Sequence, residues 1–427
     1  MQETLKRLHA VDADARLAAL GAVMQDYESG VLPRPERTSN VNNHIHTIYS
    51  FSPYSPTSAA YAAWNSGLDT AGIMDHDSVA GCREFIRAGE LLDISTTIGF
   101  ECRCSIKGSP FEGRYINNPD QPTVLYAACH GIPHHNIELM QQWLTPYRER
   151  RVERLRRMAD NIGTLLAGSP VTMDFDEDVL PLSQYHDGGS VTERHLLCAL
   201  ATKIIQTYPD GAAVAAFLRD GLGMSLGAKN LQTILQGYER EYYEYYLLGI
   251  LKSELTSRFF IDATDECPDI WEFLSFVKQA GAIPAYPYLG DVGESVTGDK
   301  KAQVFEDSFL DELVAWLKDI GFDALTYMPT RNTIPQLERV MELCRKFELF
   351  QISGEDINTP FQSFICEPLR RAEFQHLIES TWALIGHEKA ATADLSNAMF
   401  SQKMRSQIQD LPLRVRHYAS MGREASE

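Results

Sequence analysis

No apolar run in the chain approaches the roughly 20 residues needed to cross a bilayer. The opening stretch MQETLKRLHAVDADARLAALGAVMQDY is charged and helical in pattern, without the apolar centre of a secretion signal. Neither a membrane partner nor export is expected, which predicts a soluble, cytoplasmic protein. Positive charge is also scarce: 39 Lys plus Arg stand against 58 Asp plus Glu, a formal net charge of -19. So acidic a surface disfavours a phosphate backbone and argues against long nucleic acid as a partner, while leaving room for a local basic pocket that takes a small anion. The eight Cys follow no repeated spacing in a chain too long to need staples, so they read as reduced thiols. Internal repeats and low-complexity segments are missing too.

What is present is an ordinary globular composition, 44% hydrophobic and 23% charged over 427 residues, enough for a large core. Residues 1–40 read as a helical segment ended by Pro33 and Pro35 in GVLPRPERTSN. From 41 to 135 short apolar runs alternate with helical ones: VNNHIH, TAGIMDHD, STTIGFECRCSI and VLYAACHGI as strands, PTSAAYAAWNSGL and GCREFIRAGELL as helices. This rhythm predicts an α/β domain with parallel strands. It is lost from 136 to 260, where Leu155, Met158, Ile162, Leu165 and Leu166 fall at helical spacing and LQGYEREYYEYYLLGILKSEL reads as one long Tyr-rich helix. It returns over 261–365 at GAIPAYPYLGD, FDALTYMP and LFQISGED. Residues 366–427 read as a helical tail without obvious chemistry. The expected organisation is an α/β domain interrupted by a mostly helical cap.

Six places carry residues suited to chemistry. His44 and His46 share one face of a strand, about 7 Å apart at Cα, so both imidazoles can meet one metal ion; two hydrogen-bonded strand histidines are the plainer explanation. Asp75, His76 and Asp77 fall where a strand ends, the place where α/β barrels carry their chemistry, although Asp77 or Ser78 could simply cap the next helix. Glu101 lies in an apolar strand, and a buried carboxylate wants a metal or a cation. Cys102 and Cys104 beside it read as core, since the other candidate ligands offer only N and O. His130 ends the strand AACHG, with His134 as its rival in the following loop. Arg194 and His195 precede an apolar helix, with His186 as the fallback. Asp356 and Asn358 follow the last candidate strand.

As a set, HIHTIYSFS, MDHDSVAG, GFECRC, AACHG, TERHLL and SGEDIN resemble, in order and spacing, the motifs of the polymerase and histidinol phosphatase (PHP) superfamily of metal-dependent phosphoesterases. The likeness covers residues 41–134 and, more loosely, 190–360. It implies a distorted seven-stranded β/α barrel with metals at the C-terminal mouth. Carried over by motif, His44, His46, Glu101 and Asp356 would hold one ion. Glu101 would bridge to a second ion held by His130 and His195. A third ion, found in some members, would lack two of its three ligands, because Phe51 stands for an Asp and Asn358 for a His; only His76 remains. Other departures from the pattern are Tyr286 for a His, Glu193 for an Arg with Arg194 shifted by one, and Asn43 for an Asp.

The resemblance implies two divalent ions, Zn, Mn or Fe, and a hydroxide bridging them that attacks phosphorus. Glu101, Asp75 and His76 would then belong to the catalytic group, with His76 protonating the leaving oxygen or binding phosphate. Arg194 and Arg331 are the phosphate clamp of choice, ahead of Lys107 and Arg114; Tyr286 and Asn358 would also face the substrate. The expected function is a hydrolase of a small phosphorylated molecule. The alternatives are a PHP-like protein that binds metal or ligand without turnover, favoured by the altered motifs, and an amidohydrolase. Self-association into a homo-oligomer stays open.

Overall fold

The computed structural model describes residues 8–10, 12–291 and 305–424, so part of the expected N-terminal helical segment lies outside the described residues. Seven short apolar runs become strands: β1 Asn40–Ile45, β2 Leu68–His76, β3 Ser95–Ser105, β4 Val124–His130, β5 Ile283–Pro287, β6 Ala324–Tyr327 and β7 Phe350–Ser353. They pair in chain order from β1 to β7. Two backbone bonds bring the ends together: His46 N–H donates to Ile357 O (2.9 Å) and Ile357 N–H donates to His44 O (3.1 Å). The result is a seven-stranded, nearly closed α/β barrel.

The strands are not all parallel. β4 runs antiparallel to both β3 and β5, while the other neighbours are parallel. The stretch 106–123 between β3 and β4 carries no helix. Without a crossover to carry the chain back, it returns in the opposite sense. His130, at the end of β4, therefore stands opposite Gly99 rather than beside the upper ends of β2 and β3.

Helices α1 (Ala13–Glu28), α2 (Pro56–Asn65) and α3 (Cys82–Leu92) pack on one side of the barrel. Helix α4 (Ile137–Leu165) is long and opens a separate helical layer. There Leu155, Met158 and Ile162 pack with Leu196, Leu200 and Ile204 of α5 (Glu193–Thr207). The Tyr-rich stretch is not one helix. It breaks into α6 (Ala228–Gly237) and α7 (Tyr243–Phe259), with Tyr242 left-handed at φ 62 between them. Gly237 ends the first piece, and the charged residues that follow offer no apolar face to continue it.

The C-terminal segment does more than trail. Helix α8 (Gln375–Ala393) is buried on most of its surface. Its Trp382, Leu384 and Ile385 share one apolar cluster with Met74, Ala128, Ala285, Ala324 and Ile352 of the strands. Its polar Ser380, Thr381, His387 and Glu388 are buried along with them. Helix α9 (Leu411–Glu424) covers α8, and the two approach so closely that a Cβ on Gly386 would lie 2.0 Å from Tyr418 O. Among the described residues, no helix is long and apolar enough to cross a membrane.

Candidate metal centre

β1 and the residue just beyond its end deliver His44 and His46. Their Nε2 atoms stand 3.2 Å apart, and the two rings meet edge to face. β3 brings Glu101, whose Oε1 lies 3.6 Å from His44 Nε2 and 3.5 Å from His46 Nε2. The loop after β7 brings Asp356, with Oδ1 3.2 Å from His46 Nε2. That loop can lie against β1 because residue 354 is glycine: a Cβ there would sit 2.7 Å from His44 Cβ. His76, at the end of β2, stacks on His46 and places Nδ1 3.1 Å from Glu101 Oε1. Ligand atoms of His44, His46 and Glu101 all lie within 4.8 Å of one another.

The electrostatics follow from this crowding. Burial works against charge on His44, but Glu101, Asp356 and Asp75 outweigh it and raise the ring to about 9. Burial likewise opposes the Glu101 carboxylate, yet His76 and His44 hold it down at about 2. Asp356 is driven well below the usual carboxylate range against its burial, by His46 and His44, with Arg194 adding to the pull. His76 is pushed down to about 3 by burial, against the pull of Glu101 and helped by His46 and Arg151. So lowered, the ring favours its neutral form over the protonated one that a proton donor needs. A neutral imidazole suits a ligand instead.

A metal fits this donor set. Two imidazole nitrogens and two carboxylate oxygens meet in pairs at 3.2 to 3.6 Å. His130 adds a sharper sign: its Nε2 is buried without a hydrogen-bond partner. Burial lowers His130 to about 3, and both His44 and Glu101 act on it through space. A buried imidazole nitrogen left without a partner is costly unless something supplies the missing bond. His134, the rival, is occupied elsewhere with Glu388.

His195 does not fit as expected. It caps α5, where its Nδ1 accepts from Thr192 N–H (2.9 Å). The proton of the neutral ring then sits on Nε2, which has no lone pair for a cation. Burial lowers the ring to about 3, and its face meets Phe51 edge-on at 5.0 Å. Phe51 is itself part of the helical layer's apolar core. His186 is placed in a short turn over Tyr185–Asp187, apart from the cluster.

The remaining candidates separate by what they touch. Asp75 accepts from Thr47 N–H, Thr47 Oγ1 and Ser50 Oγ at 2.6 to 2.7 Å, which fixes the turn after His46. Asn358 donates to Asp356 Oδ1 (2.7 Å) and so orients that carboxylate. Tyr286, expected at the substrate, is instead fully buried in the core around the barrel, with its hydroxyl bonded to Glu306. Arg194 and Arg331 both line a cavity of about 220 Å³ that opens over His44, His76, Glu101 and Asp356. Lys107 and Arg114 do not line it.

The sequence reading missed one group of residues in this cavity. Arg103 and Arg151 line it beside Glu193, and Arg154 and Glu266 stand directly behind. Arg103 had a signal: it lies two residues beyond Glu101 on the same strand, hence on the same face. Arg151 had none, since its place depends on how α4 docks.

No family model matches the chain, and no curated protein matches it. Solved structures do. A protein from Bifidobacterium adolescentis assigned as a metal-dependent phosphoesterase aligns at a TM-score of 0.51 and 19% identity, covering 81% of this chain and 96% of its own. An amidohydrolase from Chromobacterium violaceum, solved with sulfate and no metal, aligns at a TM-score of 0.51 and 16% identity, covering 80% and 96%. At these identities the likeness is one of fold.

Proposed function

We propose that the chain is a metal-dependent hydrolase of PHP type that acts on a small phosphoester. The observation that carries this reading is the convergence of His44, His46, Glu101 and Asp356 below a cavity, with the partnerless Nε2 of His130 close by. The names of both structural neighbours, one a phosphoesterase and one an amidohydrolase, support hydrolysis. The arginines lining the cavity favour an anionic substrate over a neutral amide.

His44, His46, Glu101 and Asp356 would hold one divalent ion, Zn, Mn or Fe by donor type. Glu101 and His130 would contribute to a second, for which His76 is better placed than His195. Bound there, the metal would activate water near neutral pH and offset charge on phosphoryl oxygens. The chain's own residues do the rest. Asp75 fixes the turn that presents His46, and Asn358 fixes Asp356. Arg194 and Arg331 face the cavity and bind phosphate oxygens. The cavity, at about 220 Å³, is of a size for a compact substrate.

The test is metal content per chain, followed by assays with Mn or Zn against phosphomonoesters, phosphodiesters and amides. Phosphoester turnover that falls in His46→Ala at least about a hundredfold, the loss seen even for partners once removed from a metal, supports the reading. Metal bound without turnover on any of the three classes would leave a ligand-binding protein. Amide turnover alone would make it an amidohydrolase.

A further inference from the structure

We propose that Arg103 and Arg151 form an anion subsite beside the metal centre, which grips the outer oxygens of a dianionic tetrahedral group such as a phosphomonoester. This deepens the hydrolase reading and rests on it for the identity of the anion.

The first support is position. Glu101 and Arg103 project from the same face of β3, about 7 Å apart at Cα, while Cys102 between them turns into the surrounding core. Arg103 thus stands one step farther along the strand than the carboxylate of the metal cluster. Arg151 comes across from α4 and acts on His76 through space. Both arginines line the same cavity as His76 and Glu101.

The second is how each guanidinium is held. Arg103 Nε donates to the Tyr126 hydroxyl (3.1 Å) and Nη1 to Glu193 Oε1 (2.8 Å). Arg151 Nε donates to Glu266 Oε1 (3.1 Å) and Nη1 to Asp77. In each fork Nη2 makes no hydrogen bond among the described residues, and neither Nη2 is sealed from the cavity. Each guanidinium is thus held at Nε and Nη1, with the Nη2 amino group between them left open. That geometry suits the oxygens of a tetrahedral anion.

The third is charge. Arg103, Arg151 and Arg154 are matched by Asp77, Glu193 and Glu266. The matched set keeps the guanidiniums charged and still when the cavity is empty, so binding an anion costs little reordering.

A network of this kind could also serve only to tie the helical layer to the barrel, and the experiment separates the two roles. Inorganic phosphate is titrated calorimetrically into the metal-loaded full chain: wild type, Arg103→Lys and the charge-balanced double variant Arg103→Met/Glu193→Gln. Metal content and melting are read in parallel. The proposal expects phosphate binding in the wild type. It expects weakening of about tenfold or more in the double variant, the range for loss of hydrogen bonds to a charged group, with metal content unchanged. Arg103→Lys keeps the charge but not the fork, and weakens phosphate binding by a smaller factor; it decides the matter should the double variant not fold. Wild-type phosphate affinity in either variant, with only a lower melting point, overturns the proposal. So does a wild type that takes up metal but no phosphate. Arg103-dependent phosphate binding in a protein that turns over no phosphoester would leave the subsite standing and sink the hydrolase reading instead.

Discussion

The two ends of the barrel use the same side chains to opposite effect. At the base, where α8 enters, Glu388 receives His134 Nε2 (2.8 Å) on one oxygen and Ile98 N–H (2.9 Å) on the other. His387 nearby pairs Nε2 with Gly131 O (3.0 Å), and its Nδ1 accepts from Met399 N–H (2.9 Å). Each group has its own partner. At the mouth, three imidazoles crowd a single oxygen of Glu101, and His130 Nε2 has nothing. Burial raises Glu388 above the ordinary carboxylate value, whereas Glu101, equally buried, is held at about 2. At the base the polar groups satisfy one another, whereas at the mouth they leave bonding capacity over.

That contrast is broken most directly by exchanging the consequences at the two carboxylates. Glu101→Gln removes the charge that the imidazoles share. It is expected to abolish stoichiometric metal binding while the fold survives, read by metal analysis and circular dichroism. Glu388→Ala is expected to leave metal content intact and to cost about 3 kcal/mol in urea unfolding, the range for stripping one partner from a buried pair. Metal loss in Glu388→Ala without unfolding would erase the distinction between the ends.

His195 sharpens the comparison from within the mouth. Its Nδ1 is committed to Thr192 in the manner of a base residue. His195→Asn is therefore expected to retain bound metal and to lose about 1 kcal/mol of stability, the worth of a helix cap. A drop in metal content by a whole ion per chain would return His195 to the ligand set.

Which of these roles could be read from the sequence follows from their range along the chain. His44 and His46 are two apart, and strand alternation alone puts them together. Glu101 was legible because a lone carboxylate in an apolar strand demands compensation. Asp356 was legible only through motif likeness, since nothing local distinguishes it from Glu355. The Thr192 contact of His195 was not legible because it is made to a backbone N–H three residues back, a bond that depends on the helix starting at Glu193. The sense of β4 was missed because alternating apolar runs carry no direction; only the missing helix before it does. α8 was passed over for a different reason. Its buried surface mixes apolar residues with Ser380, Thr381, His387 and Glu388, so periodicity gave it no clear apolar face, and the strands it packs on lie far away in the chain. Tyr286 followed the motif alignment into the substrate group, yet the fold turns it outward to Glu306.

The smallest expected effect concerns pH at the base. His134 is raised above its ordinary value by its hydrogen bond to Glu388, with burial opposing. A histidine whose folded value exceeds its unfolded value of about 6.5 binds its proton more tightly in the folded state. The resulting stabilisation is complete below about 6.5 and is lost as pH rises through the folded value. Glu388, raised by its own burial, contributes in the same direction. Melting of the wild type should therefore fall from mildly acidic to mildly alkaline pH by more than that of His134→Gln, which keeps a donor to Glu388 but cannot titrate. His44 at the mouth is raised to about 9, so the comparison is made between wild type and variant under the same metal-loaded conditions, where the difference between the two curves isolates the base. Curves that stay parallel would mean that the His134–Glu388 pair is as solvated as a surface contact, and that the base owes its order to the apolar packing of α8 alone.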